Sequence, residues 1–146
     1  MLKENARNKA DREYPLEQRL FLSIIKKKGK RIMDMMHYEI KGDCLVVYIK
    51  DDLDHHAVTY LRETSDRLIE AGNVKNIIFD FKDVNFMDSS GIGLIMGRYK
   101  KVMFIGGKAA VTNVGKAVDK IFRVSGLYKI IKKYDTIQEA FYENRI

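Results

Sequence analysis

Asn76-Ile-Ile-Phe-Asp-Phe81, followed after a polar break by Asn85-Phe-Met-Asp-Ser-Ser-Gly-Ile-Gly-Leu94, is the stretch that decides the fold. The first run is short, apolar and rich in β-branched and aromatic residues, as a buried strand is. Beyond the break, Ile92, Ile95, Met96, Tyr99, Val102 and Met103 recur at helical spacing. A strand that passes through a polar turn into an amphipathic helix is the repeating half of an α/β sheet. The same turn sets two adjacent hydroxyls, Ser89 and Ser90, at a helix mouth. Free backbone N–H groups and the positive end of the helix dipole would tolerate a phosphate there, so the segment reads as a candidate switch.

Upstream, His37 to Ile40 and Cys44 to Ile49 flank Lys41-Gly-Asp43 and read as a hairpin. Asp51 to Asp54 forms a polar loop, with Asp54 placed to cap the helix that follows. Ala57, Val58, Leu61, Leu68 and Ile69 mark one face of that helix from His56 to Ala71, closed by Gly72-Asn73. Downstream, Gly106-Gly107 ends the second helix before a strand from Lys108 to Thr112. Val114 to Val124 supplies a third helix, Lys129 to Tyr134 a final strand, and Thr136 to Asn144 a terminal helix. The alternation predicts a single α/β domain over residues 33–146. Its sheet is mixed and mostly parallel, with four to five strands, an antiparallel edge from the hairpin and about four flanking helices.

Composition narrows the function. The 146 residues suit one domain, and the lone Cys44, inside an apolar run, reads as a buried core thiol with no partner for an intrachain disulfide. The apolar stretch Leu20 to Ile25 is far shorter than the roughly 20 residues a membrane-spanning helix needs, and a cytoplasmic protein is the expectation. The net charge of +7 suggests nucleic acid until it is divided along the chain. Residues 1–32 hold ten Lys/Arg and four Asp/Glu, a surplus of +6, while residues 33–146 hold seventeen and sixteen, a surplus of +1. The domain itself is nearly neutral and is not built to meet a phosphate backbone. The basic extension, residues 1–32, has three open readings: a start-site error, with the start at Met33, Met35 or Met36; a disordered tail; or a basic arm.

Several chemistries are weighed against plainer roles. A nucleophile elbow needs glycines two residues either side of the serine; Ser89 has Met87 before it and Ser90 has Asp88 and Ile92, so the elbow is absent. Gly91, Gly93 and Gly97 have the wrong spacing for a dinucleotide loop, and the Gly-Lys-Ser/Thr end of a Walker loop is missing. Gly91 and Gly93 read better as residues that keep the first helical turn bare so that a partner's backbone can come close to Ser89. Asp52 and Asp54 resemble the paired carboxylates of a small magnesium-dependent phosphatase, the best enzymatic rival, although no later acidic pair completes a metal site. No zinc site, cofactor or metal is expected.

Asp52-Leu-Asp-His-His56, Phe86-Met-Asp-Ser-Ser-Gly-Ile-Gly93, Gly97-Arg-Tyr-Lys100, Ile105-Gly-Gly107 and Ser125-Gly-Leu-Tyr-Lys-Ile-Ile131 together resemble the STAS-domain anti-sigma factor antagonists of endospore-forming bacteria, most nearly those of the sporulation sigma F pathway. The likeness runs from about Met36 to Phe141. It implies a STAS fold with no catalysis of its own, a phosphoprotein that regulates transcription. The unphosphorylated form binds an anti-sigma factor that is an ATP-using serine kinase, and so frees the sigma factor. Phosphorylation of the first serine, here Ser89, switches binding off, and a PP2C-type phosphatase restores it. The implied docking surface comprises Asp52, Asp54, Asp88, Ser90, Gly91, Ile92, Gly93 and Leu94, with Ser90 helping to cap the helix. An antagonist of a general stress sigma factor is the alternative within the family. Asp51 departs from the pattern, since relatives usually carry glycine there.

Overall fold

A computed structural model of the chain describes residues 36–50, 52–53 and 55–144; the 1–32 extension lies outside them. Five strands form one sheet: β1 (Met36–Lys41), β2 (Cys44–Ile49), β3 (Asn76–Asp80), β4 (Ala109–Thr112) and β5 (Lys132–Tyr134). They lie side by side in chain order, β1 antiparallel to β2 and the remaining pairs parallel. The four helices are α1 (His55–Glu70), α2 (Ser89–Phe104), α3 (Lys116–Ser125) and α4 (Ile137–Asn144).

This order follows from elementary constraints. Parallel neighbours need a crossover, crossovers share one hand, and strands placed in sequence therefore put α1, α2 and α3 on the same face. On that face Leu45, Val47, Ile77, Phe79 and Val111 meet Val58 and Leu61 of α1, Leu94 and Ile95 of α2 and Phe122 of α3 in the larger core. The alternate residues Cys44, Val46, Ile78 and Ala110 turn to the other face, where Ala140 of α4 and Tyr134 cover them. Two covered faces explain why β2 and β3 are continuous apolar runs and not alternating ones. Phe81 and Phe122 meet edge to face with centroids 5.1 Å apart, which fixes α3 against the sheet. Cys44 is buried as expected, and burial pushes its thiol up to about 12, so it stays protonated and inert at neutral pH.

The expected elements are present, with three differences. The third helix starts at Lys116 because the chain bends at Asn113, at φ 52°, and then runs extended to Gly115, the residue in the cap position. The last strand is only three residues long, since Leu127–Lys129 forms a 3-10 turn whose Leu127 carbonyl accepts from the N–H groups of both Ile130 and Ile131. Along α2 the buried residues are Gly91, Leu94, Ile95, Arg98 and Val102; of the expected face, Ile92, Met96 and Tyr99 are half-buried against the core and only Met103, 53% exposed, turns away. Arg98 is buried among them because its Nε lies 2.8 Å from Oδ1 of Asp66 on α1, a charge pair that offsets the cost of burying the guanidinium.

The turn between α2 and β4 packs backbone against backbone. Gly107 donates to the Val102 carbonyl at 2.6 Å, and a Cβ at Gly107 would collide with the carbonyl oxygen of Lys75, a backbone atom that cannot swing aside. Gly107→Ala is accordingly expected to destabilise the domain by about 1–3 kcal/mol, measured as a lowered urea midpoint with an unchanged slope.

Candidate functional site

The Ser89 region is built at the end of the sheet where the parallel strands finish. β2 and β3 pair with Val47 opposite Phe79 and Tyr48 opposite Asp80, so the loops that follow them emerge side by side. They are joined there. Asp52 Oδ1 accepts from the backbone N–H groups of Asn85 at 2.7 Å and Phe86 at 3.0 Å. One residue later, Leu53 forms an isolated parallel bridge with Met87. Leu53 and Met87 are both buried, so this short bridge is also an apolar plug under the loop.

From Met87 the chain enters α2. Asp88 has extended geometry, φ −94° and ψ −176°, and its carboxylate caps the helix by accepting from the Ser90 N–H at 2.9 Å. The Ser90 hydroxyl donates to the same Asp88 oxygen. This corrects two expectations. Ser90 does not cap the helix but donates to the residue that does, and the helix mouth is not empty, because Asp88 already occupies the Ser90 N–H. The serines are thereby made unequal: Ser89 is exposed, and among the described residues its hydroxyl has no hydrogen-bond partner, whereas Ser90 is half-buried and tied to Asp88.

The remaining expected surface residues divide. Gly93 is exposed with open space where a Cβ would stand, and Ile92 is half-buried, so both present themselves to the outside. Leu94 is fully buried in the core, and Gly91 is buried too. Gly91 is small for an internal reason, since a Cβ there would strike the end of the Met87 side chain, which fills that space. Neither residue offers a side chain to a partner, because helical periodicity turns positions 91, 94 and 95 toward the sheet. Asp54 lies outside the described residues. Asp52 is exposed and stands beside the Ser89 loop, but its Oδ1 is committed to holding that loop, a task different from that of a phosphatase nucleophile.

One surface residue went unread in the sequence. Phe86 is 58% exposed, immediately before the buried Met87, and gives the loop an apolar contact point two residues from Asp88. Its signal was the out-in alternation of Phe86 and Met87 beside a polar turn.

Comparison with known proteins gives consistent matches. Residues 35–140 match the family model of the STAS domain. An anti-sigma F factor antagonist of Paenibacillus polymyxa is 38% identical over 99 residues, covering 68% of this chain and 85% of that protein. The solved structure of the anti-sigma factor antagonist SpoIIAA in its unphosphorylated form matches with a TM-score of 0.63 at 30% identity, over 75% of this chain and 97% of that one. The Bacillus cell fate determinant SpoIIAA in its phosphorylated form matches with the same TM-score at 32% identity, over 75% and 99%.

Asp52→Ala removes an acceptor shared by two loop amides and should cost roughly 1–2 kcal/mol. Hydrogen exchange at Asn85 and Phe86 should accelerate while exchange in β3 keeps its order of protection, as followed by amide exchange in solution.

Proposed function

The chain belongs to the STAS-domain family, and on that premise we propose that it works as an anti-sigma factor antagonist whose binding is switched off by phosphorylation of Ser89. The observation that carries the assignment is the inequality of the two serines. An exposed hydroxyl without an internal partner can enter a kinase site as a nucleophile, while Ser90 would first have to give up its bond to Asp88. In this reading the unphosphorylated protein docks on an anti-sigma factor, a serine kinase that uses ATP, and so liberates a sporulation sigma factor. A PP2C-type phosphatase resets it. The role is regulatory, and the chemistry belongs to the partners.

The docking face consists of Phe86, Asp88, Ser89, Ile92 and the bare backbone at Gly93, with the exposed edge of Asp52 beside it. Ile92 and Phe86 supply apolar contact, and Gly93 lets a partner's backbone approach. A phosphate on Ser89 adds about −1.5 to −2 charges at neutral pH, next to the Asp88 carboxylate. A partner that had fitted this face must then desolvate a dianion or withdraw. Support for a phosphate that leaves the fold in place comes from SpoIIAA, whose phosphorylated and unphosphorylated forms match this chain with the same TM-score of 0.63. The sporulation branch is preferred because the 38% identity with the Paenibacillus anti-sigma F factor antagonist extends over 85% of that protein.

Incubation with an anti-sigma kinase and ATP, followed by mass spectrometry, is expected to place one phosphate on Ser89. Ser89→Ala should abolish transfer, and Ser90→Ala should retain it. Transfer to Ser90, or none, contradicts the assignment.

A further inference from the structure

At the opposite end of α2 from Ser89, the C-terminal ends of α1 and α2 and the turns after them enclose a groove of about 550 Å³. α2 has 16 residues, which sets this groove roughly 24 Å from the serine pair. Its volume falls in the range of small-molecule sites. Ile69 and Val74, both buried in the core, lie beneath it, and Phe104 and Ile105 make a wall. Phe104 is 92% exposed and Ile105 44%, two large apolar side chains side by side at the surface. The wall is fixed in place, because Gly107 is locked to Val102 and abuts the Lys75 backbone.

The rim is cationic in a selective way. Lys101 lies 3.1 Å from Glu70 and is matched internally. Lys75 and Lys100 also line the groove, are exposed, and form no ion pair among the described residues. An apolar trough with two uncompensated ammonium groups at its edge complements a molecule with an apolar body and one anionic head. The chain's own basic extension, with Lys26 to Lys28, Lys30 and Arg31 beside its apolar stretch, carries the wrong charge to lie here.

We propose that this groove binds a free amphipathic carboxylate, its hydrocarbon chain against Phe104 and Ile105 and its head near Lys75 and Lys100. The site is independent of the Ser89 switch, and its failure would leave that reading untouched.

Decanoate is the probe. Titrated into the full 15N-labelled chain below its micelle concentration, it should produce saturable shifts confined to the amides of residues 69–75 and 100–107. Phe104→Ala should weaken binding about tenfold, and the paired Lys75→Glu and Lys100→Glu change should do so to a similar extent. Both variants alter exposed side chains, and an unchanged melting temperature verifies their fold. Decanol should bind more weakly than decanoate. The proposal is overturned by absence of saturation, by shifts centred elsewhere, by equal binding of decanol, by variants that bind like the parent, or by saturation with an acidic peptide in place of decanoate.

Discussion

The parallel pairing of β2 with β3 is the constraint on which the rest of the molecule depends. Both strands are buried on both faces, so polar chemistry is confined to the strand ends. Their register delivers the loops after them to the same end of the sheet, close enough for Asp52 to take two amides of the 85–86 turn and for Leu53 to bridge Met87. That double fastening fixes where α2 begins. Asp88 then caps the helix, and Ser89 is left exposed at its first position. The location of the candidate switch is thus a consequence of sheet register, transmitted through one carboxylate and one apolar bridge.

Asp88 shapes the electrostatics of the proposed switch. A short carboxylate in the cap position satisfies the Ser90 N–H and benefits from the helix dipole, a gain of a few tenths to about 1 kcal/mol. A phosphate on Ser89 would find that place taken. It would lie outward beside a like charge, with only part of its cost offset by the helix end. The arrangement suits a modification that must be visible at the surface and reversible, since a dianion fully absorbed by the helix mouth would change little that a partner could sense.

Much of this was legible in the chain because local patterns and tertiary packing agree. The hairpin, the helix face at Ala57, Val58, Leu61, Leu68 and Ile69, and the central apolar runs follow from periodicity alone, and each of those five helix residues is buried. The burial of Arg98 on α2 was not legible because arginine counts as polar in any pattern, and the charge that admits it to the interior, Asp66, lies on another helix. Glycines were ambiguous for a related reason: Gly93 is bare toward the outside, whereas Gly91 makes room for Met87, and only the fold distinguishes them. Asp52 looked like chemistry in sequence, since its two amide partners are more than thirty residues away. The final strand was overextended because Ile130 and Ile131 have strand propensity, yet their N–H groups are drawn to the Leu127 carbonyl.

The central claim is that charge at Ser89 alters the surface and spares the fold. The most direct measurement compares unphosphorylated and Ser89-phosphorylated protein by titration calorimetry against the anti-sigma factor, with melting temperature recorded on the same samples. The account predicts an affinity loss of at least about a hundredfold with melting temperatures within a few degrees of each other. Equal affinities, or a loss of binding that tracks a collapse in melting temperature, would contradict it.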